Sequence, residues 1–337
     1  MSYNLRVLFL LLAAAALTGP ARATAQERSH AHGHGTDPAH AAHGERPPLL
    51  QGLGNWSWRV STRVPAAQQY FDQGLRLTYG FNHDEARLSF EEALRLDPSC
   101  AMCAWGIAYA LSPNINMPMP AEAEAEALVA ARRAAALAGR ASGRERDLIG
   151  AMVRRFGEPA GEQRAARDSA YAAAMREVAR RHAQDVDVQV LYADAMLNLR
   201  PWNQWTRDGR PQPGTLEVVA TLERAMALAP DHAGACHLYV HTIEASPTPE
   251  RALDCARRLP RLMPGAGHLV HMPAHIYIRV GRWADAITAN EHAVHVDESY
   301  IADQRPTGVY PIAYYPHNYH FLSFAATMAG RSSQTIA

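Results

Sequence analysis

The sequence predicts an all-α protein and, more narrowly, an α-solenoid of stacked helix-turn-helix hairpins. Three observations carry this. From residue 65 onward Ala, Leu, Arg and Glu dominate and β-branched runs are few. The apolar residues of that region recur at helical spacing. A 34-residue unit, with small, aromatic and proline positions at fixed offsets, returns along the chain.

The elements follow in chain order. Residues 1–25 carry Arg6, an apolar run and the small-residue pattern Ala23-Thr24-Ala25, which together read as a secretory signal peptide. The run is too short to span a bilayer, and no later segment is long and apolar enough for stable membrane insertion. An exported protein, periplasmic or secreted, is expected. Residues 26–64 are expected to be a disordered His-rich segment and linker. Its histidines His30, His32, His34, His40 and His43 can load a metal weakly or serve only to solubilise. Lys+Arg and Asp+Glu both total 33, so no net field gathers phosphate backbones, and nucleic acid is excluded as an expected partner. The four cysteines offer a Cys100–Cys103 pair and a Cys236–Cys255 bridge between neighbouring helices. Four buried thiols are the alternative, and the sequence does not choose.

The solenoid occupies residues 65–337. In its first hairpin Tyr70, Gly74, Leu77, Ala86, Phe90, Ala93 and Pro98 fall at the repeat's spacing, with Gln73 standing where an aliphatic residue is usual. Small Gly74 and Ala86 let two antiparallel helices approach, Tyr70 and Phe90 fill the space between them, and Pro98 stops the second helix. This pattern resembles the tetratricopeptide repeat, and the chain is similar to exported bacterial proteins built from it. The resemblance covers roughly two thirds of the chain after the signal, strongly at both ends. It implies a hairpin solenoid whose first helices line a concave groove, and its commonest use implies a peptide or small molecule there.

Further hairpins are expected at TLEVVATLERAMALAPD, at HAGACHLYVHTIEAS with PTPERALDCARRLPRLMPG, and at GHLVHMPAHIYIRVG with RWADAITANEHAVHVD. YPHNYHFLSFAATMAG opens another. A long helix from about 121 to 138, SPNINMPMP and RPWNQWTRDGRPQPG depart from the pattern. GRSSQTIA aligns with GRWADAIT, so the chain stops inside a second helix. A fragment, or a partner covering that open end, is expected.

The histidines carry the chemistry. His237 and His271 are 34 residues apart, as are His241 and His275. Aligning Gly281 with Gly330 makes His268 and His271 correspond to His317 and His320. Residues three and four apart share a helix face, so His237, His241 and Glu244 point one way, as do His268, His271 and His275. Imidazoles from first helices about 8–10 Å apart can meet one ion at roughly 2.0–2.1 Å. Several neutral imidazoles with one carboxylate suit Zn, Cu or Fe better than Mg or Ca.

A transition metal is therefore expected, with ligands drawn from His237, His241, His268, His271, His275, His317 and His320. Glu244 is expected as a further ligand or as the base that deprotonates bound water. Metal-dependent hydrolysis or oxidation would follow from an open coordination position. The alternative is a peptide-binding scaffold in which the histidines supply hydrogen bonds. Pro273 removes a backbone hydrogen bond and should kink the chain between His271 and His275, unless a helix simply starts there. Asn114, Asn116, Met117, Met119, Trp202, Trp205, Tyr310, Tyr314 and Tyr315 are weaker candidates for completing the groove. His83, His182, His292 and His295 are assigned to outer faces and turns.

Overall fold

The computed structural model describes residues 46–156 and 164–336. The signal peptide and the five tail histidines lie outside the described residues. Those described are helical with no strands, and two isolated bridges, Asn114 with Met117 and Trp205 with Pro211, pin loops. No helix among them is long and apolar enough to cross a membrane.

The helices pair in order, as tetratricopeptide-like hairpins do. They are α1 Pro65–Tyr79 with α2 His83–Leu96, α3 Ala101–Ala110 with α4 Ala121–Leu137, and α5 Gly143–Phe156 with α6 Arg164–Arg181. Then come α7 Val186–Leu197 with α8 Thr215–Leu228, and α9 Ala233–Ile243 with α10 Leu253–Leu262. The sixth unit has a broken first helix, α11 Gly267–His271 and α12 Pro273–Arg279, against α13 Trp283–Gln304. Finally α14 Tyr315–Met328 packs on the short α15 Ser332–Ile336.

The first hairpin shows why the sequence folds this way. A Cβ added at Gly74 would stand 2.8 Å from the Phe90 ring, and one at Gly106 of α3 would stand 2.3 Å from it. Two glycines thus admit one aromatic between three helices, and Phe71 meets Phe90 edge to face at 5.4 Å. Both cysteine pairs, Cys100–Cys103 and Cys236–Cys255, are disulfides, and the second ties α9 to α10. Closing a loop of this length stabilises by about 3 kcal/mol. Cys236→Ser with Cys255→Ser is therefore expected to lower the urea midpoint without changing the helix content of the native state.

Residues 46–64, expected as the end of a disordered linker, are buried in part against the helices. They pack as an extended strap with Leu53, Trp58 and Val60 buried. Gln73, the departure from the repeat pattern, is what fastens it. Its Oε1 accepts from Leu50 N at 2.7 Å, and its Nε2 donates to Pro48 O at 2.9 Å and to Ser89 Oγ at 3.1 Å. Tyr70 Oη adds a bond to Pro47 O at 2.7 Å.

The winding is tight enough for α1 to contact α9, four hairpins further on. Asp187 of α7 is the junction. It accepts from Trp56 Nε1 at 3.0 Å, Tyr79 Oη at 2.7 Å and His232 Nε2 at 3.2 Å, while His232 Nδ1 caps α9 through Ala235 N. The concave side is therefore filled where an open groove was expected, and every residue of α9 is buried.

Candidate metal centre

Four elements converge inside the curve: the α1–α2 turn, α9, the broken helix α11–α12, and the start of α14. On α9, His237, His241 and Glu244 follow at i, i+4 and i+7 and so share one face. On the sixth unit a new helix starts at Pro273, the alternative to a kink, but a short helix, α11, precedes it in place of a loop, and His268, His271 and His275 are buried. His237, His241, His268, His271 and His275 are all 3% exposed or less.

With His317 and Glu244 they form two all-imidazole groups and a third, His241, Glu244 and His275, that bridges them. In the first, one nitrogen from each of His237, His241 and His268 lies within 4.8 Å of the other two. In the second, His271, His275 and His317 do the same. His320, expected as a ligand, is exposed and belongs to none of these groups. The Gly281–Gly330 alignment put it in the wrong phase, because α11–α12 is broken and α14 is continuous. The position one turn after His317 is taken by Phe321, whose ring lies 4.5 Å from that of His275.

Hydrogen bonding fixes the protons on four of these rings. His237 Nδ1 faces the Tyr79 carbonyl at 2.6 Å, and a carbonyl only accepts, so Nδ1 carries the hydrogen and Nε2 is bare. Asn290 Nδ2 donates to Ala286 O at 2.7 Å, which orients the amide so that Oδ1 meets His271 Nδ1 at 2.7 Å. His241 and His275 each turn Nδ1 to Glu244, at 2.9 Å to Oε1 and 2.7 Å to Oε2. All four Nε2 atoms therefore present lone pairs.

Two consequences follow. His271 Nε2 and His275 Nε2 face each other at 2.8 Å with no hydrogen between neutral rings. His241 Nε2 is buried with no hydrogen-bond partner. In the first group His237 Nε2 lies 3.1 Å from His268 Nε2, and His268 Nδ1 is buried without a partner, so one nitrogen stays unsatisfied in either tautomer. Two nitrogens bound to one ion at about 2.0–2.1 Å stand roughly 3 to 3.5 Å apart. The observed separations are already within a few tenths of an ångström of that.

Electrostatics favours the neutral form of five of the rings. Burial, reinforced by neighbouring imidazoles, pushes His237, His268 and His271 well below the ordinary histidine value, and burial also lowers His241 despite Glu244. His317 is pushed down to about 3 by burial and by His275. A low imidazole pKa leaves the lone pair free for a metal at neutral pH.

Glu244 holds two of the rings at once. Burial would raise its pKa, but the His275 and His241 contacts outweigh this and hold the carboxyl well below its usual range. Each of its oxygens accepts from one imidazole N–H, which orients those rings, and with His241 and His275 it also forms a group whose donor atoms lie close enough to hold an ion. Glu244→Gln keeps the shape but offers one acceptor where two are needed. Metal affinity is expected to fall about 10–100-fold, measured by competition with a chromophoric chelator. An unchanged affinity would remove Glu244 from the centre.

Aromatic rings close the space. Phe81 sits 4.3 Å from His237 and stacks on His241 and His268 at 5.8 and 5.5 Å. Trp202 stands edge-on to His241 at 5.4 Å, and Tyr314 lies 4.7 Å from His268. Phe81 and Trp202 both hold a φ of 58°, a left-handed conformation that costs aromatic residues about 1–2 kcal/mol. Three of the other weaker candidates have defined partners. Trp205 Nε1 donates to Thr242 O at 2.7 Å, Asn114 Oδ1 closes its own turn through Asn116 N and Met117 N, and Tyr310 Oη accepts from His268 N and donates to Asp297.

Asn290, Phe81 and Phe321 were not read as functional in the sequence. Asn290 had a signal: it is a lone amide on the face of α13 otherwise filled by Ala286, Ile287 and Ala293. Phe81 had none, since its role comes from the contact between α1 and α9.

No protein-family model matches the sequence, and no curated protein sequence matches it. Solved structures similar in fold include YrrB, described as a TPR protein with an unusual peptide-binding site, at 15% identity and a TM-score of 0.30, covering 61% of this chain and 90% of that one. Another is MamA, at 11% identity and a TM-score of 0.35, covering 72% and 98%. A third is the human IFIT1 dimer with PPP-AAAA, at 12% and 0.41, covering 80% and 70%. At these TM-scores nothing about the function of this chain rests on them.

Proposed function

We propose that this is an exported helical-repeat protein that binds a transition metal through buried histidines on its concave side. The observation that carries the reading is the pair His271 Nε2 and His275 Nε2, 2.8 Å apart with both Nδ1 atoms committed as donors. Bare lone pairs at that distance repel. A proton would turn this contact into an N–H···N hydrogen bond, with Glu244 beside His275 to pair the charge, but it would leave the buried His241 Nε2 without a partner, whereas a cation held by imidazole nitrogens satisfies lone pairs of both kinds. Export is supported by the signal pattern and by two disulfides, which persist in oxidising compartments.

The scaffold alternative is less well supported at this place, because Phe81, Tyr314 and Phe321 occupy the space that an extended peptide would need. As the base for hydrolysis Glu244 is less well placed, since each of its oxygens accepts from an imidazole N–H. The test is elemental analysis of protein produced without an affinity tag and with His30, His32, His34, His40 and His43 replaced by alanine. Substitution is preferable to truncating at residue 50, which would strip the packed strap. Stoichiometric Zn, Cu or Fe is expected, retained through gel filtration. A protein that stays metal-free after exposure to each would sink the reading.

A further inference from the structure

The two groups of imidazoles share no member, and this deepens the reading above, on which it rests. His237, His241 and His268 gather their donors at one place, and His271, His275 and His317 gather theirs at another. Each group contains its own close Nε2 pair, at 3.1 and 2.8 Å. Between groups the ring centres of His241 and His275 stand 5.3 Å apart and those of His268 and His271 stand 5.9 Å apart. Glu244 joins them by holding one ring of each.

We propose that the fold holds two copper ions side by side, bound in the cuprous state, one on each trio of imidazoles. The count follows from geometry. One ion at about 2.0–2.1 Å from its ligands on the second trio leaves His241 Nε2 and one nitrogen of His268 in the first without a partner.

The identity follows from charge and ligand type. All six ligands are neutral, and among the described residues the carboxylate hydrogen-bonded to these rings is Glu244. Asp297, held up to about 7 by burial, lies behind Tyr310 and Asn318 and does not touch the rings. Two divalent ions would bring four positive charges against one negative charge in a buried space, and each uncompensated charge costs several kcal/mol. Two monovalent ions halve that load. Imidazole is a good copper ligand, and Mg and Ca, which require oxygen, are excluded by the donor set.

The test is an anaerobic titration of the full chain, with its five tail histidines replaced by alanine, using Cu(I) buffered by bicinchoninic acid. Two tight equivalents are expected. His237→Gln and His317→Gln should each leave one, with helical circular dichroism retained; should His237→Gln lose it, His241→Gln replaces that variant. One equivalent in the parent protein would overturn the pair and leave the single-metal reading intact. No tight binding of Cu(I), Zn or Fe would overturn both. Loss of both equivalents in either variant would overturn the assignment of one ion per trio. Retention of two Zn ions against excess Cu(I) would overturn the choice of copper.

Discussion

Stripped of metal, the protein is expected to lose stability progressively as the pH falls below about 6.5. His237, His241, His268 and His271 have folded pKa values below the ordinary value, and His317 is down at about 3. The unfolded chain therefore binds protons from about pH 6.5 downward while the folded one does not, so stability is complete above that pH and falls below it. Each such ring costs about 1.4 kcal/mol per pH unit once well below 6.5. Asp297, raised to about 7, and Asp194, raised to about 6, act in the opposite direction, because their folded carboxyls take up protons first. They offset part of the loss from the five rings, and the balance falls on the side of acid destabilisation. Thermal unfolding followed by helical circular dichroism from pH 8 to pH 4 after chelation checks this, and a metal-free protein whose midpoint is no lower at pH 4 would contradict it. Saturating metal should move the loss to lower pH, since the ion competes with protons for the same nitrogens.

Metal should also raise thermal stability by about as much as a large-to-small substitution in the core lowers it. A ligand at 1,000 times its dissociation constant stabilises by about 4 kcal/mol, which for a domain of this size is about 10 °C in Tm. The double variant His237→Ala, His271→Ala removes a ligand from each trio and is expected to show no shift. Differential scanning fluorimetry with and without metal at constant pH decides it. An equal shift in the double variant would place the ion elsewhere, with the tail histidines the first suspects.

The fold was legible because its determinants are local. Tyr70, Gly74, Phe90 and Pro98 act within one hairpin, and their spacing survives in the sequence. The histidines of α9, α11 and α12 were legible for a related reason: a 34-residue offset and an i, i+4 spacing place them on the inner face of successive first helices. His320 was misplaced because phase was carried across a break at Met272 that α14 does not share. Glu244 was found on the right face, but its role depends on His275, 31 residues away, which spacing along α9 cannot reveal. The division into two trios was not legible, since it depends on how far each ring reaches across the superhelix. Phe81 and the packed strap depend on the closing of α1 onto α9, a contact between residues more than 150 positions apart.

The aromatic enclosure sets the kinetics of whatever the histidines hold. With Phe81, Trp202, Tyr314 and Phe321 against the rings, an ion cannot leave by simple diffusion along a channel of water. Escape has to wait for a local breathing motion, and the two turns held at φ 58° are where such an opening would release strain. Residence time is then governed by the chain, so cargo that binds only moderately at equilibrium could still be carried for long periods without exchange.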